Sequence, residues 1–408
     1  MYLTFAWRYF RAKKNANAIN IIAWVTVGVI AFATACQIIV LSVFNGFEGI
    51  VESLYASFYA DVRIEPAKGK TITLGPEWLD RLNKLPVVDA VCTIAEEKAL
   101  LQHGEAQTVV FLKGVDSQYG RVCDLPAKIF AGSYQTGSAE NPGLVVGAGI
   151  QQAAGLQAGS REQPSRVALI MPRKGAMSAA DPMQSLSEGE AVVTGVFSIQ
   201  QDFDTRYAIT DIGFIKSSMG FSQHEYSALE LRLKPGADEA ASLQAIKQLL
   251  GNGYRVLSRY EQNSGLYRTM RMEKWVIYAV LTLILLVAAF NMISSLTMLV
   301  LEKKKDISVL QSLGADRSML SRIFLTEGML LGIIGCGAGI LMAMLVVFLQ
   351  IRFKLVKIEG GSFLIDYFPV RLKAEDFVLV TLTALLIVFF AAYFPARKAS
   401  RQAFNLKV

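Results

Sequence analysis

The chain has 408 residues but only two histidines, His103 and His224, and they stand in unrelated contexts. No histidine-based metal site or catalytic triad takes shape from them. Gly69-Lys70-Thr71 resembles the end of a phosphate loop, yet residue 64 is Ile where the opening glycine would stand. Without a glycine-rich approach the backbone cannot wrap a phosphate. Gly147-Ala148-Gly149 follows a β-rich run, with Gln152 in place of a third glycine. The sequence therefore offers no means of hydrolysing ATP by itself. Cys36 and Cys336 fall in apolar stretches, while Cys92 and Cys123 belong to no CxxC pair. In an oxidising compartment those two could bridge, and the spacing leaves this open.

The chemistry that remains is mechanical. The stretch 302–322, EKKKDISVLQSLGADRSMLSR, carries Lys303, Lys304, Lys305 and Asp306, then Ile307, Leu310 and Leu313 along one face of a short helix that Gly314 stops. A short amphipathic helix of this kind suits a membrane subunit that receives force from a soluble motor. A plain basic connector is the other reading.

Four apolar stretches surround this loop and must position it: residues 19–44, 276–301, 323–351 and 377–394. About 20 mostly apolar residues cross ~30 Å of hydrocarbon. The expected order is one span (19–45), a large soluble domain (46–271), a second span (272–301), the loop 302–322, a third span (323–351), an external loop (352–376), a fourth span (377–394) and a tail (395–408). Residues 1–18 read as an interfacial helix, with Tyr2, Phe5, Ala6, Tyr9 and Phe10 on one face.

The net charge of +7 hides a split, because 46–271 holds 22 Lys/Arg against 25 Asp/Glu and the excess of cations lies beside the spans. That placement reports membrane topology and argues against nucleic acid as a partner. Thirteen basic residues lie before the first span, between the second and third, and after the fourth; five lie in 352–373. The majority puts both termini and the loop 302–322 in the cytoplasm and the large domain outside.

Inside the spans, Gly328, Gly332, Gly335 and Gly339 share one helical face and invite close packing, within the chain or against a second subunit. Asn291, Ser294 and Ser295 form a polar stripe that faces other helices or a cavity. Glu327 is near enough to the interface to snorkel. The external domain reads as mixed α/β, with strands near 61–65, 108–115, 144–146, 167–170, 192–197 and 228–233, and helices at 76–84 and 237–250. Residues 132–143 and 173–189 read as loops.

Four segments resemble the lipoprotein-releasing (Lol) permeases, within the FtsX/MacB-like superfamily of ABC-transporter permeases. They are LSVFNGFE at 41–48, NMISSLTMLVLEKKKDISVLQSLGA at 291–315, FLIDYFPVRLKAEDF at 363–377 and FPARKAS at 394–400. The resemblance implies an α-helical membrane protein with four transmembrane helices and a large mixed α/β periplasmic domain between helices 1 and 2, in a bacterial inner membrane. It implies no catalytic site, no metal and no cofactor on this chain, with ATP and Mg2+ held by a partner ABC ATPase dimer. A second permease copy or paralogue, an acylated lipoprotein and a periplasmic carrier would be its other partners. Residues 171–185 stand where some of these permeases carry a hook-like hairpin, and Pro172, Met177, Pro182 and Met183 would supply its apolar atoms. Cell-division and efflux permeases of the same superfamily form the alternative.

Overall fold

The computed structural model describes residues 17–159, 164–174, 186–357 and 367–400. The expected interfacial helix lies almost wholly outside the described residues. Helices of eight residues or more are, in chain order, α1 (Asn17–Ala56), α2 (Pro76–Asn83), α3 (Ile212–Met219), α4 (Glu239–Leu250), α5 (Ser264–Glu302), α6 (Lys304–Ser312), α7 (Arg317–Phe353) and α8 (Ala374–Ser400). Among the described residues, α1, α5, α7 and α8 are long and apolar enough to cross a membrane. The chain divides into two compact units, Val51–Tyr267 and the described remainder.

In the helical unit, small and branched side chains interlock. Ala23, Val27 and Ile30 of α1 meet Met292 and Leu296 of α5, Leu331 of α7, and Val388 and Ala392 of α8. The outward face of α5 is apolar instead of polar: Trp275, Val280, Leu283, Val287 and Phe290 are all exposed. An inside-out distribution of this kind suits lipid as the solvent. At 39 residues α5 is roughly 58 Å long, well beyond one hydrocarbon thickness. The apolar count placed the start of this span at 272–276; the helix begins at Ser264, because polar residues such as Arg268 and Arg271 are good helix formers.

Among its described residues the second unit holds twelve strands: β1 (Val62–Pro66), β2 (Ile72–Thr73), β3 (Val88–His103), β4 (Ala106–Val115), β5 (Ile129–Gly132), β6 (Gly143–Gly147), β7 (Arg166–Pro172), β8 (Leu186–Phe197), β9 (Tyr207–Asp211), β10 (Glu225–Tyr226), β11 (Ala228–Leu233) and β12 (Tyr254–Ser258). Ten of them join one mixed sheet. Strand β3 organises it. Its early residues pair with β11, Leu100–Gln102 pair with β7, and its other edge pairs with β4. Through β9, β6 and β8 the pairing returns to β7, so six strands form a closed cycle. Leu101, Leu112, Val146, Leu169 and Val193 belong to the core of that cycle. A second core, under α2 and α4, gathers Ile64, Leu82, Leu231 and Ile246.

The six strands expected from sequence are present; 228–233 matches β11, 61–65 is shifted by one residue in β1, and the other four are longer in the structure. The sequence reading omits β2, β3, β5, β9, β10 and β12. Residues 95–102, AEEKALLQ, are strong helix formers, and here pairing on both edges overrides local propensity. The reading of 173–189 as a loop is corrected at its end, where Leu186 already pairs with Pro172. Cys92 and Cys123 are both buried free thiols, so the bridge left open by their spacing is not formed.

Candidate functional site

Helix α6 has the expected place and stop. Gly314 takes φ +95°, a left-handed conformation that suits glycine, and Asp316 caps α7 by accepting from the Met319 amide at 2.8 Å. Its faces differ from the sequence expectation. Ile307 is 2% exposed and packs with Leu299, Val300, Leu320, Phe324 and Ala396, with Leu310 partly buried beside them. That face is used up within the chain. Val309 and Leu313 point away from it, at 59% and 79% exposure, and Lys304 and Lys305 are exposed as well. The helical period of 3.6 residues explains the division: Ile307 and Leu310 are three apart, while Val309 and Leu313 are four apart on another face. Ile307 is thus occupied by packing within the chain, Leu310 is partly so, and the exposed apolar side chains of this stretch are Val309 and Leu313. The Asp306 side chain lies outside the described residues.

All four helix-packing glycines contact neighbours in this chain. A Cβ on Gly328 would sit 2.5 Å from the Ala392 Cβ, and one on Gly332 2.1 Å from the Val388 Cγ1, so two of them admit α8. Gly335 and Gly339 admit α1, with the Ala31 carbonyl oxygen 2.5 Å from a Cβ built on Gly339. Gly332→Leu is expected to overpack this seam and cost about 1–3 kcal/mol, read as lower accumulation and a lower Tm in detergent. An unchanged Tm would contradict the packing account.

The polar stripe on α5 is split, with Ser295 buried and Asn291 and Ser294 exposed on the single chain. Glu327 does not snorkel. It is 4% exposed, because α7 begins at Arg317 and places Glu327 in its third turn, inside the bundle.

In the second unit, β7 and β8 form an antiparallel pair that ends at Pro172 and Leu186, so residues 173–185 connect the two strands of a hairpin. Pro172 is exposed at its base. Met177, Pro182 and Met183 lie outside the described residues.

The same unit contains a buried charge network that the sequence reading omits. Lys113 Nζ donates to Glu230 Oε1 and Oε2 at 2.8 and 3.0 Å, and Arg63 donates to Glu230 at 3.1 Å and to Glu96 at 2.6 Å. Lys113 also lies 4.8 Å from the ring centroids of Phe58 and Tyr119. Burial pushes the Lys113 ammonium down, but the Glu230 and Glu96 carboxylates more than offset it and hold it above its ordinary value. Burial pushes Glu96 up, and the Arg63 and Lys113 charges overcome this to hold it at about 2. These shifts favour the charged forms of Lys113 and Glu96, which is a structural arrangement and not a poised acid–base pair. Burial raises the neighbouring Cys123 thiol, with Glu230 adding to the effect, so it is no nucleophile at neutral pH. Among the described residues no group of three His, Cys, Asp or Glu could hold a metal ion.

The family described as "MacB-like periplasmic core domain" matches residues 23–249, and the one described as "FtsX-like permease C-terminal" matches residues 278–404. The lipoprotein-releasing system transmembrane protein LolE of Haemophilus influenzae is 26% identical over 413 residues, covering 97% of this chain and 96% of its own. LolC of Neisseria meningitidis serogroup B is 26% identical over 410 residues, covering 97% and 95%. Among solved structures, the periplasmic region of MacB from Actinobacillus actinomycetemcomitans aligns with a TM-score of 0.36 at 15% identity, covering 55% of this chain and 98% of that one. The resemblance first seen in four short segments thus extends over nearly the whole chain. The chain belongs to the family with a MacB-like periplasmic core domain, joined here to an FtsX-like permease C-terminal region.

Proposed function

We propose that this protein is the permease subunit of an ABC transporter that extracts lipoproteins from the inner membrane and passes them to a periplasmic carrier. The observation that carries this reading is similarity to lipoprotein-releasing transmembrane proteins over 97% of the chain, spanning both units. In this reading α1, α5, α7 and α8 span the membrane, and residues 46–271 form a periplasmic domain inserted between the first two spans. The basic residues near 303–322 and after the fourth span face the cytoplasm. ATP and Mg2+ are bound by a separate ATPase dimer, with no cofactor on this chain. A second permease copy or paralogue completes the membrane part and covers Asn291 and Ser294, whose polar groups are costly against lipid.

The physical task fits that division of labour. Each buried CH₂ of an acyl chain resists extraction by ~0.8 kcal/mol, so several chains require coupled ATP hydrolysis. Helix α6 receives the ATPase stroke through Val309, Leu313 and the lysines at 304 and 305. The hairpin connection beyond Pro172 is the carrier-docking element, with Met177, Pro182 and Met183 as its apolar contacts.

Depletion of the protein in its host, followed by separation of inner and outer membranes, tests the proposal. Mature lipoproteins are expected to accumulate in the inner membrane. Normal sorting accompanied by chained cells or drug sensitivity would move the chain to the cell-division or efflux branch of the superfamily.

A further inference from the structure

Two of the segments that carry the resemblance, LSVFNGFE and the stretch leading into α8, meet in the helical unit although they lie more than 300 residues apart. Asn45 is fully buried and donates through Nδ2 to Asp376 Oδ2 at 2.5 Å. Lys274 Nζ donates to Asn45 Oδ1 at 2.9 Å and lies 3.0 Å from Asp376 Oδ1. Asp376 is 7% exposed. One amide, one cation and one carboxylate thus join α1, α5 and α8 at one end of the bundle.

The surroundings hold this triad in register. A Cβ on Gly46 would stand 2.3 Å from the Pro369 carbonyl oxygen, so glycine is needed for that close approach. The Arg371 amide donates to the Ser42 carbonyl at 2.9 Å, and Lys373 pairs with Glu48 at 2.5 Å. Helix α7 joins through Gln350, whose Nε2 donates to the Phe368 carbonyl at 3.1 Å.

Apolar side chains would hold four helices together equally well, and replacing a buried ion pair by apolar groups often leaves stability unchanged. What directional, charged contacts add is a fixed register between elements. We propose that Lys274, Asn45 and Asp376 are positioning residues for the transport stroke. They lock the ends of α1, α5 and α8 to one another, so that displacement entering at α6 moves these ends as one body. This rests on the permease reading above. Without the lock, ATP is hydrolysed while the helix ends slip past each other.

The test uses the full permease with its ATPase in nanodiscs, in wild type, Asp376→Asn, Lys274→Gln and the charge swap Lys274→Asp with Asp376→Lys. Two quantities are read: lipoprotein released per ATP hydrolysed, and the distance distribution between spin labels at residues 272 and 375. Each single variant is expected to keep ATP hydrolysis within about twofold, lose release per ATP by about tenfold, and broaden the distance distribution. The swap restores both readouts in part. Unchanged release per ATP and unchanged distances in both single variants overturn the lock. So does a parallel loss of folded protein, hydrolysis and release that the swap does not rescue, which marks a purely structural role. Wild type that hydrolyses ATP but releases no lipoprotein refutes the permease reading instead. The distances then decide alone: narrow in wild type and broad in the variants upholds the lock, and equal widths overturn it.

Discussion

Lys113→Met is expected to lower the stability of the 51–267 unit by about 3–5 kcal/mol, measured by urea unfolding. Lys113 is 1% exposed and Glu230 is fully buried, so removing the ammonium leaves a carboxylate that water cannot reach. Arg63, at 3.1 Å, remains as a partner and keeps the loss toward the lower end of that range. The strands involved amplify the effect. Lys113 lies on β4 and Glu230 on β11, two of the strands that pair with the long central strand β3. The double variant Lys113→Met with Glu230→Leu is expected to recover most of the loss, because it removes both desolvation costs together. A single variant within about 0.5 kcal/mol of wild type would show that the buried pair is not the source of stability.

Leu313→Asp combined with Val309→Asp is expected to weaken association with the partner ATPase by about 30-fold or more, while the protein still inserts and accumulates. Val309 on α6 and Leu313 just past its end are both exposed, so aspartate there costs the isolated chain little, yet it would be buried unpaired in any apolar docking pocket. Ile307→Asp is the informative contrast. It places a charge among Leu299, Val300, Leu320 and Phe324, and the expected result is lost accumulation of the permease itself. Co-purification with the ATPase separates the two cases. Undiminished capture of the ATPase by the Val309/Leu313 variant would sink α6 as the docking element.

The sequence by itself determined the four long apolar helices. A run of twenty apolar residues and a glycine that ends a short helix are local properties. They are readable along the chain without knowing what lies beside it. That is why four helices, the place of α6 and the α/β character of the second unit were legible. The family resemblance was legible for a similar reason, since its four segments are contiguous.

Only the tertiary structure decided which faces are free and which charges meet. Ile307, Leu310 and Leu313 look alike in sequence; packing against α5, α7 and α8 buries the first, half-buries the second and leaves the third outside. Residues 95–102 of β3 are helix formers by composition, and only pairing with β4 and β7 makes them strand. Lys113 finds Glu230 across 117 residues, and Asn45 finds Asp376 across 331. Such pairings depend on how the elements are brought together, and a single sequence records that nowhere in its local pattern. The same holds for the glycines of α7, whose spacing announces close packing while only the fold shows that α1 and α8 take the space.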